Sequence, residues 1–418
     1  MLLQHIVADP MRALQYMERH VNDGSPSGFS ERFTTSPSTS PFGDGGSFPL
    51  DVARVPSEWC SEAGRFPSWA STNLSDQRAE LLVHPDMRQH RSLAHGSITF
   101  PRRTPFAVVP TATGRTVQCA DTEHPDYIKL HYDGIIGRLN RRITLARAES
   151  AYTVAELMGA AIRDGVLPGD FAFLADSAYR VAKIPTPEGT EEWGMVYRDH
   201  HPVRPASLAI AAMVPAFALF SIDRGNPGHL RLIEQILRVE GADCEEELVS
   251  RLLCPIVNAY FALLVHLGLQ AEFHAQNILL GLDGVGRISA IVFRDCESVD
   301  KDIPLMDDLG IGHEGMEGTH NALDRNKPDY QKRHSFMFDF KCGEYLLAPL
   351  IGAAVTTMRM NEARVIERVR GLVDERVAAL PEDFFPRGAW YSYRKVMIDR
   401  TVAGRPFVEH RDPKFRSA

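Results

Sequence analysis

Residues 278–282 (I-L-L-G-L) and 288–293 (I-S-A-I-V-F) form two apolar runs separated by a D-G-V-G turn at 283–286. A tight Asp-Gly turn between β-type runs dictates an antiparallel hairpin, because such residues accept the positive φ angles that reverse the chain. Pairing then fixes what meets at the open end. Asn277 stands on one side and Arg294 and Asp295 on the other, with Glu272, His274 and Gln276 just upstream. A carboxylate and an amide oxygen converging at one sheet edge make a hard oxygen site suited to Mg2+, and an adjacent His and Arg can hold phosphate. That is an ATP site in outline. A purely structural hairpin more usually carries turn formers or aliphatics there.

Composition narrows the alternatives. A chain of 418 residues with 44% hydrophobic and 24% charged residues can bury a large core and divide into two or three domains. The net charge of −8 and the lack of any long Lys/Arg run argue against nucleic acid, so an anionic ligand needs a local positive pocket. Cys60, Cys119, Cys244, Cys254, Cys296 and Cys342 are scattered, with no C-x-x-C pair, which disfavours structural zinc and a disulfide scaffold. No basic segment leads into a hydrophobic one near the start. The longest apolar stretch, 206–220, is too short to span a bilayer and contains Pro215. A cytoplasmic protein without membrane partners is expected.

The pattern along the chain predicts an α+β protein. Residues 1–22 read as an amphipathic helix with Pro10 at a start or kink, and 23–48, rich in Ser, Pro and Gly, as a flexible linker or lid. Short β runs such as L-L-V-H-P, F-A-V-V-P, R-T-V-Q-C and Y-I-K-L-H-Y predict an antiparallel or mixed sheet, giving a β-rich, fingers-like nucleotide-binding part over 49–185. Helical spacing is read at 151–164, 171–182, 206–221, 227–240 and 245–267, the last ending at Gly268, and again across 333–380. Residues 186–418 are therefore expected to be a largely helical, palm-like part carrying the hairpin at 270–296.

Several separated motifs, in order, resemble the NRPS-independent siderophore synthetases of the aerobactin-synthetase type. L-L-V-H-P at 81–85 is similar to that family's L-P-V-H-P-W-Q, with Asp86 and Met87 in place of Trp and Gln. T-G-R-T at 113–116 stands where the family has S-x-R-T. Y-I-K-L with the following R-L-N-R-R-I gives Lys129 and Arg141 the family's spacing, and M-V-Y-R-D-H-H-P resembles Y-R-E-x-P. E-F-H-A-Q-N with the downstream R-D is close to E-x-H-x-Q-N…R-D, and Lys395 and Arg400 resemble a terminal K-x-x-x-x-R. The likeness spans roughly 80–410. It departs at the start, where only 83 residues precede His84, and at Gly137, where the family usually has Thr beside the carboxylate substrate.

The resemblance implies an ATP- and Mg2+-dependent ligase that adenylates a small (poly)carboxylic acid and condenses it with an amine or alcohol, with a homodimer as an assembly option. It implies Thr113, Arg115, Thr116, Lys129, Arg141, His274, Gln276, Asn277 and Arg294 at the nucleotide. It further implies Glu272, Asn277 and Asp295 at the metal, and His274, Arg141 and Lys129 in catalysis. Gly137 implies an acid other than citrate. Read without the family, several of these residues have plainer roles. Lys129 alternates with Ile128 and Leu130 as a solvated strand position does, and Arg138 or Arg142 could replace Arg141. Thr113 and Thr116 suit a turn, Arg198 an ion pair, and His84 and His90 structural positions. Two rival functions stay open: a kinase-like phosphotransferase, since Asn277 and Asp295 mimic a kinase metal pair, and a non-catalytic or split-subunit homologue.

Overall fold

The computed structural model describes residues 1–23, 35–43, 45–66, 77–120, 125–136, 139–241, 243–314, 316, 322–327, 330–386, 391–395, 407–411 and 413–417, with backbone alone for 391–395 and 407–411. Gly137, Arg138, Arg400 and, within the 23–48 segment, residues 24–34 and 44 lie outside them.

Pro10 and Asp9 split the first helical stretch in two. Leu3–Ala8 ends at Asp9, whose carboxylate accepts from Arg12 N (3.3 Å) and caps Pro10–His20, with Pro10 in the first turn where its missing N–H costs nothing. Ala13, Leu14 and Met17 bury one face of the second helix, and Glu18 is buried with them. The described part of 35–48 is tied down. Asp86 accepts from Ser36 N and Oγ (2.9 and 2.7 Å) and from Thr39 Oγ1 (3.0 Å), a use for the acid that replaces the family's Trp.

The β-rich half is one eight-stranded sheet, antiparallel throughout. Its order is Cys60–Gly64, Asp176–Thr186, Gly189–Arg198, Tyr127–Leu130, Thr116–Cys119, Thr99–Pro110, Phe48–Pro56, Arg78–Val83. Alternating side chains such as Leu50, Val52, Leu81, Val108, Ile128 and Trp193 bury one face. Helix Leu145–Arg163 covers the other near Ile143, Tyr179 and Val181. Two stretches read as helical are strands. Phe171–Leu174 and Asp176–Thr186 replace a helix at 171–182, because F-A-F-L pairs in parallel with Ile288–Arg294 and buries both faces. Ala212–Pro215 begins the stretch at 206–221 by pairing with the hairpin, and only Ala216–Phe220 after Pro215 is helical.

The hairpin forms as expected, Ile278–Leu282 against Ile288–Arg294 with Ile278 opposite Phe293. Gly286 takes φ 89° in the turn, and Asp283 Oδ1 accepts from Val285 N and Arg287 N, each at 2.9 Å. Leu269–Ala271 pairs with Val299–Asp302 and leads Glu272 N to Ser298 O (2.9 Å). The helix Cys244–Leu267, with a π-helical stretch at Leu248–Leu253, stops at Gly268 (φ 65°), where a Cβ would collide with Met306. It is long and apolar enough to cross a membrane, yet Leu252, Ile256, Tyr260 and Leu263 lie in the main core. Residues 330–358 form a continuous helical rod, π-helical over Phe336–Leu347, and Glu362–Ala378 packs beside it.

Candidate functional site

The open end of the hairpin faces the middle of the large sheet. Asn277 O accepts from Arg294 N (2.8 Å), so the two hairpin ends meet, and Asp295 follows with φ 88°, a backbone rare outside glycine. Ser298 closes that turn by donating its N–H to Asp295 O (2.8 Å) and its hydroxyl to Oδ2 (2.9 Å). Lys129 reaches across from the sheet. Its ammonium lies 2.5 Å from both Asp295 Oδ1 and Glu297 Oε2, and the residue is 3% exposed, which removes the solvated-strand reading.

Around this pair sit four arginines. Arg198 donates to Asp176 (2.7 Å) and to Asp295 Oδ1 (3.1 Å), so it is an ion-pair residue that also touches the site. Arg115 lies 3.5 Å and Arg147 3.7 Å from Glu297, and Arg115 NH1 donates to Arg141 O (2.8 Å). Arg141 itself uses only Nε, on Ile136 O (3.3 Å); its terminal nitrogens find no partner among the described residues. Five cations thus face three carboxylates, a net positive pocket in a chain of net charge −8. Burial pushes Glu297 up, but Lys129 and Arg115 outweigh it and bring its carboxyl to about 2. Burial likewise works against Asp295, and Lys129 and Arg198 still hold it well below the usual carboxylate range. Burial lowers Arg115 to about 10.

On the other side of Asn277 the turn 272–277 presents a second group. His274 Nδ1 accepts from Gln276 N (3.2 Å), and His274 O accepts from Asn277 N (2.9 Å). A backbone N–H can only donate, so Nδ1 offers its lone pair and the neutral ring carries its proton on Nε2. Nε2 lies 3.7 Å from Glu272 Oε2, while Glu272 Oε1 is held by Lys341. Burial raises Glu272, but Lys341 and His274 outweigh it and keep it ionised far below its ordinary range. Asn277 Nδ2 donates to Glu272 O (3.2 Å), which leaves Oδ1 without a donor among the described residues. Asn277 Oδ1 and the Asp295 carboxylate fit a hard divalent cation, and the cations with the His274 Nε2–H fit phosphate.

Other expected residues are placed elsewhere. Arg294 turns away from the site: Nε donates to Gln276 O (2.7 Å) and NH1 to Glu18 Oε1 (2.5 Å), a buried clasp between the N-terminal helix and the hairpin. Glu18 Oε2 also accepts from Ala112 N (2.9 Å). Thr113 Oγ1 accepts from Thr116 N (3.3 Å), so this pair builds the turn that presents Arg115. His84 Nδ1 caps Asp86 N (3.2 Å), a structural role. His90, Asp133 and Glu191 bring ligand atoms within 4.8 Å of one another, yet Arg142 donates to both Asp133 oxygens (2.8 and 2.7 Å) and already supplies the cation. Only the backbone of Lys395 is described. Sequence reasoning missed Glu297, Arg147 and Lys341. Glu297, two residues beyond Asp295, was the findable one; Lys341 comes from a distant helix and carried no spacing signal.

A family model described as a ferric iron reductase FhuF-like transporter matches residues 246–385, and no curated protein sequence matches. Among solved structures, the petrobactin biosynthesis protein AsbB of Bacillus anthracis superposes with a TM-score of 0.73 at 12% identity, over 99% of this chain and 78% of that one. The ATP-bound aerobactin synthetase IucA of Klebsiella pneumoniae gives 0.68 at 14% identity, over 100% of this chain and 81% of its own. The aerobactin synthetase IucC gives 0.65 at 14%, over 90% and 76%. The large antiparallel sheet and the helical part that follows it match these structures: the chain has the NRPS-independent siderophore synthetase fold.

Proposed function

We propose that this chain is an ATP-dependent ligase that adenylates a small (poly)carboxylic acid and condenses it with an amine or hydroxyl nucleophile, in siderophore or related specialised-metabolite synthesis. The observation that carries the reading is the net positive pocket of Arg115, Lys129, Arg141, Arg147 and Arg198 beside the Asn277 and Asp295 oxygens. An aerobactin synthetase of the same fold is known with ATP bound, which supports the choice of nucleotide.

In this reading a carboxylate oxygen attacks the α-phosphorus, the bond to pyrophosphate breaks, and the nucleophile then attacks the acyl carbon and expels AMP, its proton passing to solvent. Charge builds on phosphate oxygens in the first step, so the protein's part is mainly positioning and electrostatic stabilisation. Arg141, whose terminal nitrogens have no partner among the described residues, and Lys129 hold phosphate oxygens, and His274 donates from Nε2. Gln276 steadies the ring through its N–H. Asn277 Oδ1 and Asp295 would hold Mg2+, which when bound neutralises phosphate charge. Glu272, expected as a third metal ligand, faces Lys341 and His274 instead. We place the reaction in the cytoplasm, in keeping with six cysteines that form no disulfide among the described residues.

The test is product analysis with citrate, 2-oxoglutarate, succinate and amino acids, each with and without candidate amines. AMP with pyrophosphate is the expected outcome. ADP would make the protein a phosphotransferase, and absence of ATP binding would make it a non-catalytic homologue.

A further inference from the structure

Lys341 belongs to none of the motifs above, yet its side chain is the direct partner of the carboxylate next to His274. It comes from the π-helical stretch Phe336–Leu347, and only 9% of the residue is exposed. A π-helix bonds i to i+5, and this one docks on the 272–277 turn through Tyr345 O, which accepts from Ala275 N (3.1 Å). On its far side the same stretch is pinned by Arg416, whose Nε donates to both Asp339 oxygens (3.0 Å each), and by Phe415 packed against Gly343. The ammonium is therefore delivered by a rigid element rather than by a loop. An ammonium this buried on a half-buried carboxylate is costly unless it is fully engaged, and Glu272 has two oxygens with two distinct partners, Lys341 on Oε1 and the His274 Nε2 edge on Oε2 at 3.7 Å. Both Glu272 oxygens are therefore engaged by Lys341 and His274.

We propose that Lys341 is a positioning residue: it fixes the Glu272 carboxylate, which orients the Nε2–H edge of His274, and Glu272 thereby serves the imidazole rather than the metal. The inference rests on the proposed reaction for what His274 contacts, but the Lys341, Glu272 and His274 chain stands on geometry alone. The backbone bond from Gln276 N to Nδ1 sets the tautomer, and Glu272 sets which way the protonated edge points.

Two measurements test it on the full chain. The first needs no nucleotide. Histidine 15N resonances, with His274 assigned by its loss in His274→Gln, report a single Nε2-protonated ring in the wild type. Lys341→Met and Glu272→Gln are expected to give a mixed or mobile ring, and Lys341→Arg to restore the wild-type signature. The second is the Mg2+ midpoint for binding a fluorescent ATP analogue. Lys341→Met and Glu272→Gln should stay within about twofold of wild type, while Asp295→Asn shifts it by about tenfold or more. A ring with both the wild-type tautomer and wild-type rigidity in Lys341→Met and in Glu272→Gln overturns the orienting role. A Glu272→Gln midpoint displaced as far as that of Asp295→Asn returns Glu272 to the metal. Wild-type protein that binds no ATP defeats the proposed function, while the resonance experiment still decides the role of Lys341. Should Lys341→Met fail to fold, Glu272→Gln and Lys341→Arg carry both readouts.

Discussion

Replacing Lys129 by Met would remove the ammonium that sits 2.5 Å from Asp295 and from Glu297 while keeping an apolar stem of similar length. Deleting one partner of a buried ion pair costs about 3–5 kcal/mol, because the remaining charge is left without compensation. Here two carboxylates lose their partner, but Arg198 stays 3.1 Å from Asp295 and Arg115 3.5 Å from Glu297, and the two acids are 23% and 18% exposed. The lower end, about 3 kcal/mol, is therefore expected. Unfolding entropy of about 2.1 cal/mol/K per residue gives roughly 0.9 kcal/mol/K for a chain of this length, so Tm should fall by about 3 °C. The pH dependence has a definite sign. Both carboxyls are depressed in the folded wild type, so their stabilisation is present above the ordinary carboxylate range and is lost as pH falls toward the folded value, about 2 for Glu297. Without the ammonium, burial pushes both acids up, and protonation relieves the variant first. The gap in Tm between wild type and variant should narrow from about pH 7 to about pH 4.5, read by thermal unfolding without ligand. Pyrophosphate release should fall by about tenfold or more. A gap under about 1 °C near neutral pH, or one unchanged by pH, would refute the assignment of Lys129 as the compensating charge.

Arg141→Ala should behave in the opposite way: pyrophosphate release drops by about tenfold or more, worth about 1.5–3 kcal/mol, with Tm nearly unchanged, because beyond the long Nε bond to Ile136 O its guanidinium has no partner to lose among the described residues. A loss seen only in the second half-reaction would move it to the nucleophile. Asn277→Ala and Asp295→Ala should abolish Mg2+-ATP turnover, and near wild-type release from either would remove the metal assignment. Arg294→Met should lower stability by about 3 kcal/mol through the buried Glu18 pair and leave ATP affinity within about twofold; weakened ATP binding in a folded variant would restore its nucleotide role.

The hairpin was legible because its determinants are local: two apolar runs joined by an Asp-Gly turn pair with no outside information. The same local logic located Gly268 as a helix stop. It failed where partners decide. F-A-F-L at 171–174 has no periodicity of its own and becomes a strand because Ile288–Arg294 is there to pair with it. Ala212–Pro215 yields to the hairpin edge for the same reason. At the site, spacing pointed to Lys129 and Arg141 but gave Arg294 and Asp295 the same weight as neighbours in an R-D pair. Arg294 ends the strand and Asp295 opens the turn at φ 88°, so one side chain clasps Glu18 and the other enters the pocket. Lys341 was invisible because its partner lies 69 positions away on another element, with residue numbers alone separating 272 from 341.

The acids inside a phosphate pocket follow from the same electrostatics. Five cations gathered at low dielectric would repel one another and weaken the fold if nothing opposed them, and the pocket must exist before any nucleotide arrives. Asp295 and Glu297 meet that need by standing against Lys129, Arg115, Arg147 and Arg198. Arg141 is left, among the described residues, as the cation with open nitrogens, which makes it the natural first contact for an incoming phosphate. Under the proposed reaction the remaining pairs then exchange partners: Lys129 passes from Asp295 to phosphate oxygens while Asp295 passes from Lys129 to Mg2+. Such an exchange keeps every buried charge opposed at each stage, and it requires Asp295 to be ionised beforehand, as its depressed carboxyl ensures. In this arrangement Glu272 stands outside the exchange, held by Lys341 on a helix pinned by the Arg416 and Asp339 pair.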